Sequence, residues 1–430
     1  MGLYDRRIAV NKRKALNIFL VMGLYYCTIF SSLSQFIVPR AKLQLFINVI
    51  VVFLFLLKNI RKNIATKPLL FDALLLAILI IVGYGYTTVH DYEYWAQYRY
   101  MLFLVFYIFA MRQKGWHEVV LKAILIAGII YAAATMWLAV DGGTYRSVIV
   151  NLYPNTRSVL LKLYSEHKYA GITDHYSTNG MVLANAMIVA WAFMIVNRRY
   201  NTNKRNKFTI IFALILIGLF LTAKRAHLLF TAVACFTAYY ICTKKERNHE
   251  SKFFLMILGT LAAIVVAYLF IPQVHNVISR FFDMSEDTNI ESRHVFWELA
   301  LLYFSENWLF GVGWFGFRNN IAPLAHYTGH CHNVYIQLLC ETGVVGFSIF
   351  IIWFVGSLII SILMAYKYFL KTRNEMIKVS LMFCLAYQLY FLMYCYSGNP
   401  LYDVYQYPLY FMACVIPMYY YKNPKEVDEQ

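Results

Sequence analysis

A chain of 430 residues that is 60% hydrophobic and only 14% charged is not an ordinary soluble domain. Its formal net charge of +17 would suit a nucleic-acid binder. The Lys and Arg residues, however, gather in short clusters between apolar runs, where they read as a topology signal and exclude that class.

A basic head (Arg6, Arg7, Lys12, Arg13, Lys14) precedes the first apolar run, with no small-residue cleavage site after it. That pattern predicts a retained helix, not a removed signal peptide. Runs of membrane-crossing character begin at Ala15, Leu43, Leu69, Tyr98, Glu118, Asn179, Phe208, Ala226, Phe253, Val344, Met376 and Val404. Those at Leu43, Tyr98 and Phe208 are short. Hydrocarbon offers backbone groups no partner except each other, so the runs are expected to be helices. The expected fold is an all-α polytopic membrane protein of about 12 transmembrane helices, one domain over residues 1–430 with no soluble domain and no internal repeat. Placing the N-terminus in the cytoplasm puts most of the 39 Lys and Arg there, in clusters such as KNIRKNIATK, NRRYNTNKRNK and KKERNHESK. Both termini are then cytoplasmic.

The external segments are unequal. Gly85 to Gln97 is short and acidic, Asp141 to Ser177 is longer, and an external loop with amphipathic helices, residues 272–343, separates the ninth and tenth spans. Thr288-x-x-Glu291 has the form of a capping box and predicts a helix from about Ile290 to Phe304. Arg293 and Trp297 then share a face at i, i+4. Arg293 is either a working cation or a solvated charge on a surface helix. Lys224 and Arg225 sit in a tight external turn, Thr222 to His227, against the orientation rule. They read either as snorkelling side chains or as a docking point for an anionic lipid substrate. Glu341-Thr342-Gly343 predicts a helix break, with Glu341 structural or lining a polar cleft.

Six of the eight cysteines fall in apolar spans, and no disulfide framework follows from Cys331 and Cys340. His330-Cys331-His332 has metal-ligand chemistry but no second ligand cluster, so no metal is expected. No phosphate-binding loop, dinucleotide fingerprint or hydrolase motif is present, and no cofactor is expected. The energy for a reaction must then arrive with the substrate, as in an activated lipid-linked phosphate ester. His332 could take a proton from an attacking hydroxyl, while Arg225 and Arg293 steady a departing phosphate. Alternatively, His332 caps the following helix or bonds a carbonyl.

LTAKRAHLL, ESRHVFWELALLYF, NWLFGVGWFGF and HNVYIQLLCETGVVG, in this order from about Leu221 to Phe350, resemble the O-antigen ligase and Wzy-type polysaccharide polymerase superfamily. Such proteins carry a Ser-Arg-Gly-like turn, an Arg-x-x-x-Trp helix, an Asn-Pro-x-x-Gly-x-Gly stretch and a His-Asn before Glu-Thr-Gly. Here Ala223 and Ala226 replace the small flanks, and Trp308 stands where proline is usual. The resemblance implies inverting glycosyl transfer from a polyprenyl-diphosphate-linked oligosaccharide. Arg225 and Arg293 would grip the diphosphate and His332 would activate the acceptor hydroxyl. Lys224, Trp297, His330, Asn333 and Glu341 are then substrate-binding candidates, with Asp174, His175 and Asn179 as sugar contacts. A polymerase acting on another lipid-linked repeat unit is preferred, since donor and acceptor share one chemical class. The alternatives are a ligase that transfers to a lipid A core or protein, and a multi-span transporter or flippase. A bacterial cytoplasmic membrane, membrane lipid, a chain-length regulator and a flippase are the implied setting and partners.

Overall fold

The computed structural model describes residues 49–50, 53, 74, 76–82, 116–198, 202–270, 274–275, 278–279, 288–327, 329–403 and 405–428. Among them every regular element is helical. The longer helices are α1 (Trp116–Val140), α2 (Arg157–Ser165), α3 (Tyr176–Asn197), α4 (Thr202–Leu221) and α5 (Arg225–Thr243). They continue with α6 (His249–Phe270), α7 (Thr288–Glu306), α8 (Val334–Tyr368), α9 (Glu375–Cys395) and α10 (Tyr407–Lys422). Within the described residues, 6 helices are long and apolar enough to cross a membrane: α1 from His117, α3, α5, α6, α8 and α9. The spans expected at Phe208 and Val404 correspond to α4, whose first turns TNKRNK are polar, and to the 16-residue α10. Those expected at Ala15, Leu43, Leu69 and Tyr98 begin outside the described residues.

The chain divides into two compact units. The second comprises Ile124–His294, Ser357–Ser397 and Ile416–Gln430. Its centre is α3, packed on α4, α5 and α9. After its first turn α3 is apolar on all sides, which suits a helix surrounded by others. Asn374 caps α9, accepting from the amides of Met376 (2.9 Å) and Ile377 (3.2 Å). By contrast α6 leaves Phe254, Leu255, Leu261, Val265 and Leu269 exposed, the face a lipid-lining helix presents. Residues 141–175 form a segment whose small core, Tyr145, Ile149, Val150, Tyr153, Leu160 and Ala170, closes on Leu138 at the end of α1.

The first unit comprises Met1–Ala123, Val295–Gly356 and Gly398–Val415. Helix α7 runs two residues further at each end than its sequence pattern predicts. Helix α8 begins at Val334, ten residues before the expected span, so the last part of the expected loop 272–343 is helical. The break at Gly343 is present, at φ 60°, ψ −171°. It separates the amides of Val344 and Val345 from the carbonyls of Cys340 and Glu341, their partners in an unbroken helix. The segment 308–313 takes all four. Val344 donates to Trp308 (2.8 Å) and Val345 to Leu309 (3.3 Å), while Val312 donates to Cys340 (2.9 Å) and Gly313 to Glu341 (2.9 Å). The strands of backbone lie so close that a Cβ on Gly311 would sit 2.4 Å from the Glu341 carbonyl carbon. One on Gly343 would sit 2.3 Å from that of Leu309. Phe296, Ala300, Phe317, Ile321, Ala322, Cys331 and Cys340 close the core beneath this junction.

Gly343→Ala combines a positive φ with a backbone clash and is expected to cost at least ~2 kcal/mol. Gly356, in the same helix, has open space at its Cβ position, so Gly356→Ala should be neutral or slightly stabilising. Thermal unfolding of both variants in detergent measures the contrast.

Candidate functional site

The chemistry-bearing residues fall into two groups, one in each unit. In the first unit they cluster where the 314–333 segment meets the start of α8. Asn333 caps α8, its Oδ1 accepting from the amides of Tyr335 (3.0 Å) and Ile336 (3.2 Å). Gln337 and Glu341 follow one and two turns along. Glu341 is fully buried, and its carboxylate accepts from the Tyr402 hydroxyl (2.7 Å), the Gln337 side-chain amide (2.8 Å) and the Phe317 amide (3.3 Å). A buried carboxylate needs such a shell, because desolvation opposes its charge.

Gln337 accepts from the Cys331 amide at 3.0 Å, which fixes its amide orientation and makes its nitrogen the donor to His330 Nδ1 (2.9 Å). Arg318 Nη1 lies 3.3 Å from His330 Nε2. Burial, then the positive charges of Arg318 and His332, push the His330 imidazole down to about 3, so it is neutral at ordinary pH. Tyr402 packs on His330, Phe315 and Trp314 at ring separations of 4.9, 5.4 and 4.8 Å.

His332 differs from its neighbour. Its backbone sits at φ 57°, a left-handed conformation that costs a non-glycine residue roughly 1–3 kcal/mol. Both ring nitrogens are held, Nε2 3.0 Å from the Tyr327 hydroxyl and Nδ1 3.1 Å from the Asn399 side-chain amide. Trp297 donates its indole N–H to the Cys331 carbonyl at 3.0 Å, pinning the loop between them. Cys331 is buried and its thiol is pushed well up by burial, so it is a poor metal ligand. No group of three His, Cys, Asp or Glu side chains among the described residues is arranged to hold a metal.

The second unit contributes the cations. Lys224 is the residue before α5 and Arg225 its first residue, after a turn in which Ala223 adopts φ 53°. The Thr222 hydroxyl closes that turn onto the Leu219 carbonyl at 2.7 Å. Lys224 and Lys168 both approach the Tyr176 ring, at 5.4 and 5.9 Å. His175 caps α3 by accepting from the Ser177 amide, and burial, then Lys224 and Lys168, hold its imidazole down at about 4. Burial holds Asp174 above the usual carboxylate range. Asn179 is committed to the fold, donating to the Thr135 hydroxyl (2.8 Å) and the Tyr169 carbonyl (3.2 Å). Arg293 is half-buried in the second turn of α7, in the part of that helix that belongs to the second unit.

Residues 210–351 match a family model described as Wzy_C, O-antigen ligase. The chain carries an O-antigen ligase family region. No curated protein matches the chain. The O-antigen ligase region contains Lys224, Arg225, Arg293, Trp297, His330, His332, Asn333 and Glu341, and so every site residue expected from the four sequence motifs. The structure brings His330, His332, Asn333, Glu341 and Trp297 together within one unit. Of these, Asn333, Glu341 and Trp297 spend their polar atoms on the loop and on α8, as a cap, a buried acceptor and a pin. Sequence reasoning passed over Gln337, Tyr327, Asn399 and Tyr402. Asn399-Pro400 is a turn dipeptide that marks a break in the apolar pattern, the one local signal that could have drawn attention there.

Two outcomes are expected. Tyr402→Phe leaves the buried Glu341 one donor short and should lower stability by about 1–3 kcal/mol in thermal unfolding. For His330 the folded imidazole protonates near 3 and an unfolded one near its ordinary 6.5, so below pH 6.5 the unfolded state binds more protons. Stability is then complete above about pH 6.5 and falls as pH drops toward 4. His330→Gln should shallow that fall without abolishing it, since His175 acts with the same sign.

Proposed function

We propose that this protein is a membrane glycosyltransferase that polymerises polysaccharide repeat units. It would transfer a polyprenyl-diphosphate-linked glycan chain to a hydroxyl of another lipid-linked repeat unit, at the outer face of a bacterial cytoplasmic membrane. About twelve spans, cytoplasmic termini and catalytic residues in the external loop 272–343 belong to this reading. The observation that carries it is the coincidence of one O-antigen ligase region with all three working residues, Arg225, Arg293 and His332. The local geometry agrees with the roles. Lys224 and Arg225 stand at the positive end of the α5 macrodipole, a position that favours an anion. A diphosphate is such an anion, and a guanidinium binds it bidentately. His332 lies between two uncharged groups, the Tyr327 hydroxyl and the Asn399 side-chain amide, which fix the plane of its ring.

In this mechanism a hydroxyl of the acceptor sugar attacks the anomeric carbon of the donor, with inversion. His332 takes the hydroxyl proton, and the polyprenyl diphosphate departs with the bonding electrons while Arg225 and Arg293 steady its charge. The diphosphate is already a good leaving group, so the reading requires neither metal nor nucleotide. A ligase would run the same chemistry onto a lipid A core or a protein.

Reconstitution with a polyprenyl-diphosphate-linked repeat unit, in the presence of chelator and without nucleotide, tests this. A ladder of products is expected from the wild type and not from Arg225→Ala or His332→Ala, with a loss of at least ~100-fold for each. No ladder from folded wild-type protein, but product once a lipid A core acceptor is added, would replace polymerase with ligase. Failure with either acceptor would end the transferase reading.

A further inference from the structure

The side chain that decides whether His332 can act as a base lies outside the O-antigen ligase region, in the turn 398–402. The structure sets Asn399 Nδ2 3.1 Å from His332 Nδ1, across 67 residues of sequence, and leaves Asn399 Oδ1 buried with no hydrogen-bond partner; a half-turn of the amide exchanges the two. Its turn is fixed from the other side, because Tyr402 donates to the buried Glu341 carboxylate at 2.7 Å. The same carboxylate holds Gln337, and Gln337 holds the Cys331 amide next to His332. Asn399 and His332 are therefore two ends of one hydrogen-bonded frame, which sets the spacing between them.

An amide side chain offers an oxygen on one side and a nitrogen on the other, and the two are interchangeable in shape. The choice has opposite chemical consequences. If the NH2 faces Nδ1, that nitrogen must accept, Nε2 must carry the ring proton, and the neutral imidazole has no lone pair to offer a substrate. If the oxygen faces Nδ1, the ring proton sits there and Nε2 keeps its lone pair. The Tyr327 hydroxyl, 3.0 Å from Nε2, then donates to it at rest and marks the position an attacking hydroxyl would occupy. His332 lies between two groups whose donor and acceptor roles can exchange, whereas His330 next to it takes its Nδ1 hydrogen bond from an amide nitrogen of fixed orientation and has Arg318 at Nε2.

We propose that Asn399 is a positioning residue that, with its amide turned by that half-turn, gives its orphaned carbonyl oxygen to His332 Nδ1–H, selecting the tautomer in which Nε2 is the base and steadying the imidazolium formed in the reaction. This rests on the transferase reading above. The acceptor hydroxyl passes its proton to Nε2 as its oxygen bonds the anomeric carbon. The bond from that carbon to the diphosphate oxygen breaks with its electron pair leaving on the phosphate, and the imidazolium later returns the proton to water. The residue plays the part of the third member of a catalytic triad: it touches the base and not the substrate.

The full chain in nanodiscs, wild type and Asn399→Ala and Asn399→Asp variants, is assayed for transfer across pH 5–9 and checked for thermal stability. Asn399→Ala should lose about 100-fold in kcat with KM little changed. Asn399→Asp keeps the acceptor oxygen and adds a charge that favours the imidazolium. It should recover most of kcat, with the acid limb of the pH profile displaced to higher pH. Equal losses in both variants, or a loss confined to KM, would overturn the proposal. Nitrogen-15 NMR of labelled histidines gives a readout that needs no activity, with His332→Gln identifying the signal. The wild type at pH 8 should show the proton on Nδ1 and Asn399→Ala a mixture, whereas a wild-type ring protonated on Nε2 would sink the idea. If the wild type transfers nothing, the transferase reading fails by itself while the NMR result still decides the orientation of Asn399.

Discussion

Four backbone hydrogen bonds at one interrupted helix organise the first unit. Gly343 turns α8 out of helical geometry, and the two amides and two carbonyls thereby released find partners in residues 308–313. In a membrane protein such groups cannot be left to water at no cost, so a break of this kind exists only where another segment completes it. The exchange works because two glycines face each other across it. Side chains at Gly311 or Gly343 would occupy the volume of the opposing backbone. Beyond the junction, Trp314 stacks on Phe350, the Phe317 amide donates to Glu341 and the Cys331 amide to Gln337, which ties these points of the following segment to α8.

On that frame sits a buried carboxyl group. Glu341 ties three parts of the unit together: the backbone at Phe317, the side chain of Gln337 on its own helix, and Tyr402 from a distant turn. A buried carboxylate with three donors is costly to build and costlier to disrupt, since loss of one donor leaves part of its desolvation uncompensated. Its sequence setting, Glu-Thr-Gly beside a His-Asn pair, left it either structural or lining a polar cleft. Its three donors make it an anchor of the fold of this unit. The second unit solves a different electrostatic problem. Lys224 and Arg225 begin a helix at its positive pole, with Lys168 on the same Tyr176 ring as Lys224, and His175 stays neutral beside them. Glu166 offsets part of this charge through its ion pair with Lys168.

The membrane class, the helical architecture and the helices α1, α3, α5, α6 and α9 were legible in sequence because long apolar runs and flanking basic clusters admit few other readings. The break at Gly343 was legible too, since an acid, a hydroxyl and a glycine interrupt an otherwise apolar stretch. What the sequence concealed was that helix resumes on the N-terminal side of the break, so that the expected loop ends as the first turns of α8. Periodicity reports whether a face is apolar and not whether a polar turn is helical. Arg225, Arg293 and His332 stood out by residue type and spacing. Gln337 and Asn399 did not, because an amide carries no charge and no motif, and Asn399 acts on a residue far away in the chain. Asn333 and Trp297 were recognised as belonging to the site, but their type could not say whether they serve the ligand or the loop.

The two histidines of His330-Cys331-His332 show how one short motif yields two kinds of residue. Both lie on the same stretch of backbone, yet the ring of His330 is turned inward against Arg318 and Tyr402 and kept uncharged, a hydrogen-bonded spacer in the core. The ring of His332 is carried the other way by its left-handed backbone, toward a hydroxyl and an amide. A protonated ring beside a guanidinium is repelled, whereas one beside an amide and a phenol is not. In the proposed transfer the developing negative charge belongs to the diphosphate and the migrating proton to the acceptor hydroxyl. The chain would supply permanent cations for the first and the imidazole of His332 for the second. A charged His330 would oppose an imidazolium at His332, and its neutral state removes that repulsion.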